Sequence, residues 1–151
     1  MTTADGQSIR FKESDVRPMG RSAAGVRGLK LKDANDRIVG MDVVPKESKD
    51  MELLVLSQNG YGKRTSLKQF KVQKRGGSGM KAMKVTEKTG DIVGAMITSM
   101  ENIESDIILT SSKGTIIRIP FKSVSLLGRV TQGVRIMKPQ AGDKVSAFTI
   151  L

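Results

Sequence analysis

A pattern that repeats every 54 residues constrains the fold of this chain more than any other feature of its sequence. Gly25-Val26-Arg27 returns as Gly79-Met80-Lys81 and as Gly133-Val134-Arg135, at equal spacings (79 − 25 = 54 and 133 − 79 = 54). We call residues at the same place in each repeat a column. Further columns are Gly6, Gly60 and Gly114; Arg10, Arg64 and Arg118; Arg21, Arg75 and Arg129; Lys30, Lys84 and Lys138. A fixed period of this size is typical of propellers and related arrays.

Short apolar runs within each repeat predict β-strands. Leu53–Leu56 and Ile107–Leu109 run into turn-forming residues, and apolar and polar residues alternate after each turn. We place a third strand at Leu29–Leu31, Met83–Val85 and Ile136–Lys138, and a fourth at Ile38–Val39, Ile92–Met96 and Val145–Phe148. Four strands per period predict an all-β, propeller-like partial ring of three four-stranded blades, covering approximately residues 1–52, 53–106 and 107–151 of one domain.

The residue types kept in register are glycines and cations. A glycine at a fixed place in each repeat indicates a turn with positive φ or a close backbone approach. A basic residue at a fixed place in each repeat puts positive charge at the same position on every blade. We therefore look for function along a positive track on the array.

The net charge predicts a polyanionic partner. The chain has 26 Lys and Arg against 15 Asp and Glu, a formal charge of +11. Nucleic acid is the first candidate, since the cations recur by structural unit. A membrane is the weaker alternative, because neither a basic amphipathic helix nor a long apolar run is visible. The other alternative is a protein-interaction scaffold whose charge serves solubility or an acidic partner.

Enzymatic chemistry finds little support in the composition. The chain has no Cys and no His, which removes thiolate nucleophiles and the commonest general base and metal ligand. The aspartates lie near turns, where Asp commonly bonds to its own backbone. We therefore expect no catalytic residue, no metal and no cofactor. The polar start of the chain carries no signal peptide, which makes the cytoplasm the default location.

One loop combines cations and glycines closely enough to be a phosphate-binding candidate. Lys74 and Arg75 precede Gly76, Gly77 and Gly79, so a flexible backbone and two charges could approach phosphates together. A cationic, glycine-rich connection between strands is the structural alternative. The stretch Gly60–Arg64 has similar chemistry and a weaker signal. With one Tyr, four Phe and no Trp, stacking on single-stranded bases is disfavoured.

The ends of the array bear on its partners. Met1 falls in the column of Val55 and Leu109, so the first repeat begins in the middle of a strand, and we expect a fragment of a longer ring. Open sheets at both ends would invite self-association.

Three stretches carry a resemblance to a known family. They are Ser8–Gly20, Gln58–Thr65 and Val124–Val134, and they resemble the C-terminal DNA-wrapping domain of bacterial DNA gyrase A. The resemblance covers essentially the whole chain, in the order of the last three of that domain's six blades. The segment Gln73–Gly79 is similar to the family's wrapping motif, Gln-Arg-Arg-Gly-Gly-Lys-Gly, with departures at Lys74 and Ser78. The full motif belongs to the family's first blade, so we expect the principal motif to lie outside this chain.

The resemblance implies a β-pinwheel that binds and wraps duplex DNA without sequence specificity. It also implies that the parent is a type IIA topoisomerase in which the remainder of gyrase A, together with gyrase B, carries out ATP-dependent negative supercoiling. The equivalent protein of topoisomerase IV, whose C-terminal ring is similar, is the close alternative. The predicted DNA contacts are Arg10, Arg21, Lys63, Arg64, Gln73, Lys74, Arg75, Gly76, Gly77, Gly79, Lys81, Arg118, Arg129 and Arg135.

Overall fold

The chain folds into antiparallel β-sheets joined by turns and short 3₁₀ helices. The computed structural model describes the backbone of residues 1–151 and every side chain except those of Met100 and Asn102. Along this backbone the strands are β1 (Thr2–Thr3), β2 (Gln7–Ser8), β3 (Ile38–Gly40), β4 (Glu52–Ser57), β5 (Tyr61–Ser66), β6 (Met80–Lys81), β7 (Ile92–Thr98), β8 (Asp106–Ser111), β9 (Ile116–Pro120), β10 (Val134–Arg135) and β11 (Val145–Ile150). The 3₁₀ helices are Glu13–Asp15, Leu67–Gln69, Met100–Glu104 and Phe121–Ser123.

The strands form three sheets, one for each repeat of the sequence. The first sheet has the order β3-β1-β2-β6, the second β10-β5-β4-β7 and the third β11-β8-β9. The prediction of an all-β fold is thereby confirmed. The blade boundaries remain a prediction.

Neighbouring repeats exchange an edge strand. β6 comes from the second repeat but pairs with β2 of the first sheet, and β10 comes from the third repeat but pairs with β5 of the second sheet. Each exchanged strand therefore ties its own repeat to the preceding one. The third sheet has three strands in the described residues, and the place that β6 and β10 occupy in the other two sheets is open there.

The predicted third strand lies about three residues beyond the observed one. Strand pairing occurs at Met80–Lys81 and Val134–Arg135, and the stretches Leu29–Leu31, Met83–Val85 and Ile136–Lys138 carry no strand. The apolar residues there do have a role, since Leu29, Met83 and Met137 are buried. They pack against the core after the short strand has ended, which is why an apolar pattern alone misplaces the strand.

Two apolar clusters lie between the sheets. Every residue of β4 is buried: Leu53 and Val55 join the cluster between the first and second sheets, while Leu54 and Leu56 join the cluster between the second and third. An uninterrupted apolar run is expected for a strand covered on both faces. The second sheet is thus the central layer of a three-layer stack.

One edge of each sheet lies inside the array and the other outside. β7 contacts both β3 and β11, and a Cβ added at Gly40 would clash with the carbonyl oxygen of Ala95. The strands β3, β7 and β11 therefore form the crowded inner edge. The exchanged strands β6 and β10 lie at the opposite edges, which we call the outer edge.

Candidate nucleic-acid interface

Two equivalent loops lead to the exchanged strands at the outer edge. The second-repeat loop covers residues 73–79 and the third-repeat loop covers residues 127–133. The Gln73 N–H donates to the Arg10 carbonyl oxygen at 2.8 Å, and the Leu127 N–H donates to that of Arg64 at the same distance. Each loop is therefore anchored to the sheet of the preceding repeat.

The glycines allow each loop to lie close to that sheet. Gly79 and Gly133 both have positive φ, 71° and 79°. A Cβ at Gly79 would lie 2.5 Å from the Ser8 carbonyl oxygen, and one at Gly133 would lie 2.7 Å from that of Gly62. Contacts this short are not tolerated, so these glycines meet both of the requirements that their register predicted.

The loop arginines bridge successive repeats in the same way. A terminal guanidinium nitrogen of Arg75 donates to the Arg27 carbonyl oxygen, and the equivalent nitrogen of Arg129 donates to that of Lys81 at 2.9 Å. Arg75 also donates through Nε to the Asp15 carbonyl oxygen at 3.1 Å. Both side chains are half-buried. They therefore place charge at the outer edge while also holding the repeats together.

Five of the predicted contacts are exposed cations. They are Arg21, Lys74, Lys81, Arg118 and Arg135. Two of them make charged or polar contacts that leave much of the side chain in solvent: Arg118 pairs with Asp106 at 2.6 Å, and Arg135 donates to the Tyr61 hydroxyl at 2.7 Å. These side chains are available to a large anion along the surface.

Lys63 lies inside the protein. Its side chain is 0% exposed, and Nζ donates to the carbonyl oxygens of Gly128 and Arg129, at 2.6 and 2.7 Å, and to the Thr131 hydroxyl at 3.1 Å. Burial lowers the pKa of Lys63 to about 8, and the nearby charge of Arg129 acts in the same direction. The lysine therefore anchors the third-repeat loop from inside the protein, where a ligand cannot reach it.

Arg64 is buried as well. It pairs with Glu52 at 2.9 Å, donates through Nε to the Val124 carbonyl oxygen at 2.8 Å, and lies 4.7 Å from the centre of the Phe121 ring. Arg10, in the same column, is half-buried, whereas Arg118 is exposed. Within this column Arg118 is therefore exposed to solvent, whereas Arg64 packs inside the protein. Because Lys63 and Arg64 are both buried, neither can contribute a direct contact to a surface interface.

The remaining predicted residues differ in accessibility. Gln73 is half-buried, and its Oε1 has no hydrogen-bond partner among the described residues. The Gly76 N–H is already donated to the Gly28 carbonyl oxygen at 2.8 Å. Gly77 is exposed. Backbone amides of this loop are therefore only partly available to an anion, whereas the side chain of Lys74 is exposed.

Sequence signals identify both the buried cations and the cations that the prediction omitted. Lys63 stands in the column of Ile9 and Ile117, which is otherwise apolar, and Arg64 follows Glu52 by the same interval that separates Arg118 from Asp106. A cation in an apolar column and a repeated acid–base spacing both indicate internal pairing. Among the exposed cations that the prediction omitted, Arg27, Lys30, Lys84 and Lys138 lie in basic columns.

The surface is suited to holding an extended anion by charge. Among the described side chains no cluster of three or more Asp, Glu, His or Cys could hold a metal ion. No helix in the described residues is long and apolar enough to cross a bilayer. Exposed Lys and Arg side chains at intervals along the outer edge can neutralise phosphates without reading bases.

Antiparallel sheets, stacked by repeat and linked by exchanged edge strands, define a repeat protein of the β-propeller class. Comparison with protein families adds that the DNA gyrase C-terminal domain, described as a beta-propeller, matches residues 1–45, 52–99 and 105–151. The chain belongs to this family.

Individual relatives agree with the assignment. The chain is 45% identical over 144 residues to the DNA gyrase A protein of Staphylococcus epidermidis and 41% identical over 148 residues to that of Staphylococcus aureus. These alignments cover 95% and 98% of the chain but only 16% of each relative. The chain thus corresponds to a small part of those proteins.

Solved structures have the same fold. A DNA gyrase A C-terminal domain superposes with a TM-score of 0.82 and 28% identity, over 99% of this chain and 49% of that one. The C-terminal domain of DNA topoisomerase IV superposes with a TM-score of 0.87 and 24% identity, over 99% of this chain and 45% of that one. The second likeness concerns the fold alone.

Proposed function

We propose that this chain is a module that binds and wraps duplex DNA without sequence preference, within a type IIA topoisomerase of the DNA gyrase kind. The observation that carries the proposal is the line of exposed cations at the outer edge, at equivalent places in successive repeats. Lys81 and Arg135 occupy one column on the two exchanged strands, and Lys74 lies in the loop before the first of them. A duplex following this edge would meet the same charges on each sheet.

The arrangement favours phosphate contact over base readout. The cations lie on short strands and anchored loops, and the described fold offers no recognition helix to enter a major groove. Binding would then depend on counterion release and on bending the duplex along a curved track. The remainder of gyrase A, together with gyrase B, would supply the ATP-dependent strand passage, in the cytoplasm. Sequence identity above 40% to gyrase A proteins favours gyrase over topoisomerase IV.

The test is the salt dependence of duplex binding by a charge variant. In Lys74→Ala/Lys81→Ala both exposed cations are removed, and we expect weaker binding to every duplex sequence. If each lysine neutralises one phosphate, the slope of log K against log salt should fall in magnitude by about 1.8, since each phosphate contributes about 0.9.

A matched control separates local contact from net charge. Lys46→Ala/Lys49→Ala removes two exposed lysines outside the repeated basic columns. We expect a smaller loss of affinity and a nearly unchanged slope. Equal changes in the two double variants would show that the outer edge is not the binding surface.

A further inference from the structure

Three successive carbonyl oxygens of the third-repeat loop point into the protein. They belong to Leu127, Gly128 and Arg129. The Thr65 hydroxyl donates to the first of them at 2.9 Å, and Lys63 Nζ donates to the second and third at 2.6 and 2.7 Å. Both donors lie on β5 and are buried. This stretch of the loop therefore rests on the second sheet with its acceptors facing inward.

The N–H groups of the same peptides face the other way. A trans peptide is planar, with its N–H directed away from its C=O, and the described backbone has no cis peptide bond. The outward N–H groups are those of Gly128, Arg129 and Val130. The Arg129 N–H donates to Oε1 of Gln69 at 3.2 Å, whereas those of Gly128 and Val130 have no acceptor among the described residues. Two free N–H groups therefore lie two residues apart on the outer side of the loop.

The equivalent loop of the second repeat lacks this arrangement. Gly76, in the column of Val130, donates its N–H to the Gly28 carbonyl oxygen at 2.8 Å. Beneath that loop the column of Lys63 holds Ile9, which has no donor for a carbonyl oxygen. The combination of supported carbonyls and free N–H groups is therefore found in the third-repeat loop and not in the second.

The two loops also obtain their positive charge differently. The second-repeat loop has Lys74 followed by Arg75. The third-repeat loop has Gly128 in place of that lysine and keeps Arg129. Lys63 Nζ lies 2.6 Å from the Gly128 carbonyl oxygen, so the second positive charge of the third-repeat loop comes from beneath its backbone.

No acidic side chain compensates the Lys63 ammonium. The third-repeat loop contains no Asp or Glu, Glu52 on the neighbouring β4 pairs with Arg64, and Arg135 on β10 is itself a cation. Burial, and then the like charge of Arg129, lower the pKa of Lys63 to about 8. The loop therefore combines two cations and two free N–H groups with no anion of its own to balance them.

We propose that the third-repeat loop binds one phosphate group of the duplex backbone through the N–H groups of Gly128 and Val130, with the Lys63 ammonium as the counter-charge beneath the peptide layer. Neighbouring N–H groups of this kind form anion-binding concavities, and hydrogen bonds along such a chain polarise one another. Lys63 thus acts on the phosphate through the peptide groups without touching it. The inference rests on the proposed function, from which it takes DNA as the ligand.

Amide chemical shifts test the contact directly. An isotope-labelled sample of the 151-residue chain is titrated with a short duplex of mixed sequence. We expect the amide protons of Gly128 and Val130 to move downfield and to saturate, because each gains a charge-assisted hydrogen bond. Gly76 is the internal control, since its N–H is already donated within the protein, and its shift should change little.

The two ways in which this titration can fail are distinguishable. If the duplex binds while the amide shifts of Gly128 and Val130 stay unchanged, the loop is not a phosphate site, and the proposed function stands. If the duplex does not bind at all, the proposed function is wrong and this inference falls with it.

The pH dependence of binding tests the role of Lys63. A phosphate above the loop favours the charged form of the lysine and raises its pKa, so binding takes up protons and affinity falls as the pH rises. For an increase in that pKa from about 8 to about 8.5, the affinity for the duplex should fall about threefold between about pH 7 and about pH 9.5.

Two variants separate this charge from the other lysines. Lys63→Met should lose the pH dependence, whereas Lys46→Met, which removes one exposed lysine outside the repeated basic columns, should keep it. Weaker binding by Lys63→Met with the parental pH dependence would show that Lys63 only supports the loop, and would overturn its part in phosphate binding. The amide shifts are measured on the parent, so they decide the site even if Lys63→Met does not fold.

Discussion

Lys63 shows how a single residue in this repeat can change from a packing role to a polar anchoring role. Its column otherwise contains isoleucine, and a lysine fits there because three oxygen acceptors from the third-repeat loop receive its ammonium. The cost is desolvation, which lowers the pKa to about 8 from 10.5. The charged form of Lys63 is therefore less favourable in the folded protein than in the unfolded chain.

This shift predicts a pH dependence of stability. Between about pH 8 and the ordinary pKa of 10.5, the unfolded chain binds more protons at this position than the folded chain, so the free energy of unfolding rises with pH. The contribution is lost as the pH falls through 8. Relative to Lys63→Met, the parent should gain up to roughly 3 kcal/mol across this window.

Urea unfolding of both proteins at several pH values measures the difference. Taking the difference between the two proteins cancels the titration of the other lysines, because those lysines are common to both chains. If the difference in the free energy of unfolding between parent and variant stays constant from pH 7 to pH 11, burial does not shift the pKa of Lys63.

At the scale of the strand pair, the same ion pair occurs in two environments. The hairpin β4–β5 carries Glu52 and Arg64 beneath a following repeat, and the hairpin β8–β9 carries Asp106 and Arg118 in solvent. Removing one partner of a buried pair leaves an uncompensated charge, which costs about 3–5 kcal/mol. Exposed pairs contribute at most about 1 kcal/mol.

We therefore expect Glu52→Gln to be strongly destabilising and Asp106→Asn to be nearly neutral. Urea unfolding compares the two variants directly. Both substitutions are isosteric and both remove one negative charge, so each serves as the control for the other. Similar losses in the two variants would show that cover by the next repeat does not determine the strength of the pair.

The elements that sequence alone predicts correctly are those specified by local residues. The first, second and fourth strands follow from apolar runs and from positive-φ glycines such as Gly60, and these signals lie within the element itself. The position predicted for the third strand is wrong because β6 and β10 are two residues long and form only against the preceding sheet. The burial of Arg64 could not be predicted from its own surroundings in the sequence for the same reason, since it is caused by a repeat 60 residues away at Val124.

At the scale of the whole molecule, each repeat supplies both the contacts that join neighbouring sheets and the cations of the outer edge. Each repeat sends one strand and one cationic loop to the outer edge of its predecessor, so the charge track lengthens with every repeat added. The number of phosphates that can be neutralised therefore grows with the number of covered sheets. The bending energy of DNA, of order several kcal/mol for tens of base pairs, must be offset by those contacts.

This balance predicts that the isolated chain binds duplex DNA but wraps it poorly in comparison with a complete domain. This chain covers 49% of the solved gyrase A C-terminal domain, and the loop most similar to the wrapping motif has Ser78 where that motif has a lysine. Relaxing and ligating plasmid in the presence of dilute chain should therefore leave the linking number close to that of the plasmid alone. A large, stoichiometric shift in linking number produced by this chain alone would show instead that three sheets suffice to wrap DNA.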